Sequence, residues 1–140
     1  MQWVKAFAAG FIATLVFHQS VISLFWLLGL IPGAPYNLAP TEPFGVPAVI
    51  SLAFWGGAWG LPLWWLIRRW SGSLYWAGAT VAGAVGPTAV AILLVFPLKG
   101  LAVSFTTVVG GLIVNAAWGF GSALVMWALR RREAGAEATD

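Results

Sequence analysis

Four long apolar stretches, separated by polar or proline-rich connections, dominate the sequence. Each has at least the ~20 residues that an α-helix needs to cross the hydrocarbon of a bilayer. The pattern predicts an all-α polytopic membrane protein with four transmembrane helices in an antiparallel bundle, and the short RRWSGS connection predicts that helices two and three are neighbours. The predicted helices cover about residues 4–30, 47–67, 74–98 and 105–129. They form one domain over residues 1–132, and the polar segment 133–140 is expected to be a disordered cytoplasmic tail.

The first apolar stretch is expected to be a retained helix and not a signal peptide. A signal peptide has an apolar region of about 7–15 residues and a small-residue cleavage site at its end. Here the run is much longer, contains His18 and Gln19, and ends without such a site. We therefore count it as the first of the four spans.

Six of the seven Lys and Arg residues fall on the same side of these spans. Lys5 precedes the first span, residues 68–69 join the second to the third, and residues 130–132 follow the fourth, whereas Lys99 falls on the opposite side. The positive-inside rule then predicts an N-in/C-in protein of a bacterial inner membrane. Orientation and contacts with membrane lipid explain the net charge of +3, so no nucleic-acid partner is expected.

Reactive side chains are scarce. The chain has one His, no Cys and four acidic residues, and no acidic residue lies inside a predicted span. A hydrolytic triad, a carboxylate pair and a multi-ligand metal site all need convergent groups that this chain does not supply. We therefore expect no enzyme activity, no cofactor and no metal site. A proton-coupled carrier is also disfavoured, because such carriers usually keep an ionisable group in the bundle core.

Polar residues nevertheless occur near the middle of three spans. Helical spacing places Thr14 and His18 on one face of the first helix, with Gln19 on the adjacent strip, and Thr88 and Asn115 lie at similar depth in the third and fourth helices. Because such groups are costly in lipid, we expect all five to form a midplane cluster inside the bundle. Three roles fit it: hydrogen bonds that lock the packing, a pocket for a quinone, lipid or pigment, or an axial His18 ligand to haem or chlorophyll.

The outer side carries one pair of opposite charges, Glu42 and Lys99. We predict that they approach each other and tie the proline-rich connection to the end of the third helix, with a contribution of ~1 kcal/mol or less. Together with Tyr36 and Asn37, the same pair offers an alternative headgroup or ligand site, which nothing in the sequence strongly favours.

Small residues recur at spacings that allow helices to approach closely. Such residues serve either internal packing or a face for self-association or a partner subunit. The glycines that carry this pattern are Gly56, Gly57, Gly60, Gly78, Gly86, Gly119 and Gly121.

The chain resembles a group of small, uncharacterised bacterial inner-membrane proteins with four helices. The resemblance covers nearly the whole length and rests on FHQ (17–19), APYNLAPTEPFGVP (34–47), LAFWGGAWG (52–60), FPLKG (96–100) and VNAAWGFG (114–121). It implies location and architecture, and no activity or functional residue follows from it.

Together these features predict a non-enzymatic integral membrane protein. We expect an accessory or stabilising subunit that self-associates as a homo-oligomer or packs in a larger membrane complex. The alternative is a small carrier or binder of a lipid, quinone or pigment that uses the midplane polar cluster.

Overall fold

The structure, a computed structural model, describes residues 1–137 and is all-helical apart from one short strand pair. The strands β1 (Pro40–Thr41) and β2 (Val46–Pro47) pair antiparallel between the first two helices. The prediction of an all-α chain with four helices long and apolar enough to cross a membrane is confirmed. The helices are α1 Gln2–Leu27, α2 Ala48–Ile67, α3 Gly72–Leu98 and α4 Phe105–Glu137.

Glycines in the left-handed conformation end two of these helices. After α1, Gly29 has φ 70°, and the N–H of Leu30 bonds back to Phe25 O at 2.9 Å. After α3, Gly100 has φ 64°, and the N–H of Leu101 bonds to Phe96 O, also at 2.9 Å. This geometry satisfies carbonyls that would otherwise lack a donor at a helix end. It stops α1 at Leu27, slightly before the predicted boundary at residue 30.

Helix α4 continues beyond the predicted boundary at residue 129. Residues 133–137 are helical, so the disordered tail predicted from residue 133 is wrong over that stretch, and residues 138–140 lie outside the described residues. Ala and Glu are among the best helix formers, and four of the five residues 133–137 are Ala or Glu. The guanidinium groups of Arg130 and Arg131 also lie 4.1 and 4.3 Å from the ring centres of Trp64 and Trp127. These cation–π contacts hold the C-terminal part of α4.

Helices α1 and α4 occupy the centre of the helix arrangement. Helix α1 packs against α2 on one side and against α4 on the other, and α3 packs against the far side of α4. Helices α2 and α3 share far fewer contacts, although a short turn joins them. The order across the molecule is therefore α2–α1–α4–α3, and it decides which polar residues meet.

Two of the helices contain a π turn. One lies at Thr14–His18 in α1 and the other at Ala91–Val95 in α3. Such turns interrupt the regular hydrogen-bond ladder and occur frequently at functional sites.

Candidate functional site

The π turn in α1 changes the hydrogen bonding at the middle of the helix. The backbone N–H of Gln19 bonds to the carbonyls of Thr14 and Val16, so Leu15 O does not receive the bond that Gln19 would donate in an α-helix. The Leu15 carbonyl accepts a hydrogen bond from the hydroxyl of Tyr36 at 2.9 Å. The π turn thus provides an acceptor for the connection between α1 and α2.

That connection descends along α1 from the end of the helix at Leu27 toward its middle. The N–H of Tyr36 donates to Gln19 Oε1 at 2.9 Å, and Gln19 lies roughly 12 Å below Leu27 on a rise of about 1.5 Å per residue. Tyr36 has φ 53°, an uncommon value for a residue other than glycine. The two hydrogen bonds hold this backbone beside the middle of α1.

A pocket of about 190 Å³ lies where the descending connection meets α1 and the start of α2. The start of α2 is itself bound to the connection, since Val49 N–H donates to Asn37 O at 2.9 Å and Ala48 N–H donates to Ala39 O at 2.9 Å. Three elements therefore fix the walls. The lining residues are His18, Gln19, Ile22, Ala34, Tyr36, Asn37, Ala48, Val49 and Leu52.

The imidazole of His18 is the chemically unusual member of this lining. Its Nδ1 is buried and has no hydrogen-bond partner among the described residues. A buried polar group without a partner costs about 1–3 kcal/mol, and orphaned groups of this kind are uncommon in folded proteins. His18 is therefore a lining residue of the pocket with a ring nitrogen that the protein itself leaves unused.

The five residues of the predicted midplane cluster do not share one hydrogen-bond network among the described residues. Asn115 Nδ2 donates to Thr88 Oγ1 at 2.9 Å between α4 and α3, whereas the buried Thr14 hydroxyl donates to Gly10 O in its own helix at 2.9 Å. Within residues 1–137, neither His18 nor Gln19 has a hydrogen bond to Thr88 or Asn115. Hydrogen bonds therefore do not join the predicted cluster, because Asn115 pairs with Thr88 of α3 and Gln19 pairs with Tyr36 of the connection.

The predicted outer ion pair is also absent. Among the described residues, Glu42 and Lys99 form neither an ion pair nor a side-chain hydrogen bond. The strand pair next to Glu42 packs on α2, whereas Lys99 ends α3 at the other edge of the helix arrangement. The four residues of the alternative headgroup site are not together either. Tyr36 and Asn37 line the His18 pocket, whereas Glu42 and Lys99 do not.

The glycines of α2 pack against α1. A Cβ on Gly56 would meet Thr14, one on Gly60 would meet the carbonyl of Ala6, and one on Gly57 would lie 2.8 Å from the Phe7 ring. These positions admit no larger side chain, so this face of α2 is occupied inside the chain.

The other four glycines also face parts of the same chain. Gly119 meets the backbone of α3, where an added Cβ would lie 2.9 Å from Gly83 Cα. The remaining three contact aromatic rings: Gly78 against Trp70, Gly86 against Trp59, and Gly121 against Phe17. This placement supports the internal-packing role and leaves self-association to another surface.

Comparison with known proteins identifies no relative: no family model, no curated protein and no solved structure matches the chain. The resemblance to small four-helix inner-membrane proteins therefore stays a prediction. Over residues 1–137, no group of three or more His, Cys, Asp or Glu residues is placed to hold a metal ion.

Sequence reasoning missed two features that build the pocket. The sequence suggests Tyr36 only for an outer headgroup site, yet Tyr36 is the residue that binds the connection to α1. The π turn was not foreseen, because the run TLVFH has no sequence signal that distinguishes it from an α-helix. The available signal was the adjacent pair His18 and Gln19, which marked the correct depth in α1.

Proposed function

We propose that the chain is a non-enzymatic multi-pass protein of a bacterial inner membrane, with both termini cytoplasmic and its four helices antiparallel. The bias of Lys and Arg toward one side of the helices supports this orientation. The lack of catalytic groups supports the absence of enzyme activity, and the apolar helix surfaces support membrane lipid, not nucleic acid, as the surroundings.

The protein works, in this proposal, by association with a second copy or with a larger membrane complex, as an accessory or stabilising subunit. One observation carries it: the outer segment of α3, Ala91–Leu98, has no extensive contact with α1, α2 or α4. Its leucines are correspondingly open, with Leu93 79%, Leu94 55% and Leu98 78% exposed.

The outer segment of α3 differs from the rest of that helix. Further in, α3 approaches α4 so closely that a Cβ on Gly83 would lie 2.6 Å from Gly119 Cα. At the π turn this contact ends, although the helix continues to Leu98. Helices in lipid associate by close packing because burial from lipid alone supplies little driving force. A leucine-rich segment without a neighbour therefore suits a helix from another chain.

Photo-crosslinking in native membranes tests the association. Benzoylphenylalanine in place of Leu93 is expected to give a protein adduct on irradiation, either a dimer or a conjugate with another membrane protein. The matched control carries the same group at Val81, which lies on α3 and is 61% exposed but belongs to the part that packs on α4. Adducts of equal yield at both positions, or none at residue 93, would reject the outer segment as an interface.

A further inference from the structure

The descending connection places non-helical backbone beside the middle of a membrane-spanning helix. In a bilayer such backbone is tolerated only where it is buried in protein or lines a cavity, because lipid cannot satisfy its N–H and C=O groups. Here the second condition is met: Gln19 and Tyr36 border the pocket, and Gln19 Oε1 accepts the N–H of Tyr36. A bilayer protein that only had to join α1 to α2 needs no such descent.

The side chains of the pocket offer hydrogen-bond donors more than acceptors. The side-chain oxygens of Gln19 and Asn37 already accept bonds from the N–H groups of Tyr36 and Ala39, at 2.9 and 2.8 Å. Their amide nitrogens make no protein hydrogen bond among the described residues. His18 adds a buried Nδ1 without a partner, which donates when its proton is on that nitrogen.

The other lining residues indicate the polarity of the rest of the ligand. Ile22, Val49 and Leu52 are apolar, and no Lys, Arg, Asp or Glu lines the pocket. A charged headgroup would therefore lose its hydration without gaining a counter-charge. The complementary ligand is a neutral molecule with an apolar body and an oxygen acceptor.

We propose that this pocket binds a neutral, carbonyl-bearing molecule of the bilayer, with the imidazole of His18 donating a hydrogen bond to the carbonyl oxygen. Two sources share this chemistry, the ring carbonyl of a quinone and the ester carbonyl of a lipid. The inference does not depend on association through α3, because all nine lining residues belong to one chain.

Binding to the purified full chain in detergent tests the proposal, with decylubiquinone and a dioleoyl diacylglycerol as separate probes. Saturable binding of either probe supports the carbonyl site, and competition between them shows which source it prefers. His18→Phe keeps an aromatic ring but removes the donor, and it is expected to weaken binding about tenfold. Ser20→Ala is the matched control, because the Ser20 hydroxyl bonds to Val16 O in its own helix and Ser20 is not a lining residue.

Thermal unfolding of the same variants separates a ligand role from a structural one. Because His18 Nδ1 has no protein partner, His18→Phe is expected to keep or raise the melting temperature of the ligand-free protein. Leu52→Trp fills the pocket from the opposite wall with His18 intact, so it provides an independent test and should also abolish binding. Absence of saturable binding by both probes, or unchanged binding in both variants, would overturn the proposal.

Discussion

The carbonyl oxygen of Gly10 accepts two side-chain hydrogen bonds in the middle of the molecule. Trp118 Nε1 donates to it from α4 at 3.0 Å, and the Thr14 hydroxyl donates from the next turn of α1 at 2.9 Å. Trp118 is only 3% exposed, so its indole N–H has no lipid headgroup or water to bond. This one atom therefore joins the two central helices where an unpaired group would be costly.

Replacing Trp118 by phenylalanine is expected to lower stability by about 1 kcal/mol, since interhelical bonds in membranes average roughly 0.6 kcal/mol and a smaller ring also leaves space. Thermal unfolding in detergent measures the change. Trp65→Phe is the matched control, because Trp65 is 59% exposed and makes no hydrogen bond among the described residues. Equal shifts for the two variants would show that the bond to Gly10 is not a stabilising contact.

The sequence predicts how far along a helix a polar residue lies, but not which residue it forms a hydrogen bond with. The cost of polar groups in lipid correctly pointed Gln19 inward, and it is 4% exposed. Its partner Tyr36 lies 17 residues along the chain, in a connection whose path depends on the π turn and on the start of α2. Helical periodicity predicts neither the π turn nor the start of α2, so the Gln19–Tyr36 contact could not be predicted from the sequence.

At the scale of elements, close backbone approach determines how helices pair. Gly119 of α4 lies against Ala79 and Gly83 of α3, and the contact is between main-chain atoms. Backbone atoms cannot adopt another rotamer to relieve a clash, so the interface tolerates only glycine there. The spacing of small residues identified Gly119 in advance because this packing mode requires it.

Gly119→Ala is therefore expected to destabilise the protein by about 1–3 kcal/mol, as overpacking of a close contact does. Gly110→Ala provides the control on the same helix, since an added Cβ there would meet only a ring atom of Phe25 at 3.8 Å. That second variant should be neutral or stabilising by up to about 1 kcal/mol, because alanine is the better helix former. Thermal unfolding of both variants in one detergent measures these changes. A Gly119→Ala variant as stable as the unmodified protein would contradict the close contact between α3 and α4.

Helix positions followed from hydropathy because each span needs a fixed length of apolar chain. The ends were less certain: α1 stops at Leu27 through the cap at Gly29, and α4 continues to Glu137. The polar composition of that last segment predicts disorder, although its residues also favour helix. Polarity alone cannot distinguish a helix that leaves the bilayer from a disordered tail.

At the scale of the whole molecule, the order α2–α1–α4–α3 separates groups that share a depth. The short turn between α2 and α3 suggested that these helices are close neighbours, yet between them lies a groove of about 280 Å³ lined by residues such as Trp59, Pro62 and Gly86. Hydropathy predicts which residues of a helix lie at a given depth in the membrane, but not which other helices lie beside it. The His18 pocket and the Asn115–Thr88 pair therefore looked like one site in the sequence.

The proposed membrane protein has four crossings with both ends inside, and cysteine labelling in spheroplasts tests this orientation directly. The chain has no Cys, so each introduced thiol is the only target of a membrane-impermeant maleimide. We predict that Phe44→Cys and Leu101→Cys are labelled from outside, whereas Ser71→Cys is labelled only after the membrane is opened. Labelling of Ser71→Cys in sealed spheroplasts, with protection of the other two, would contradict the orientation and place the connection between α1 and α2 on the cytoplasmic side.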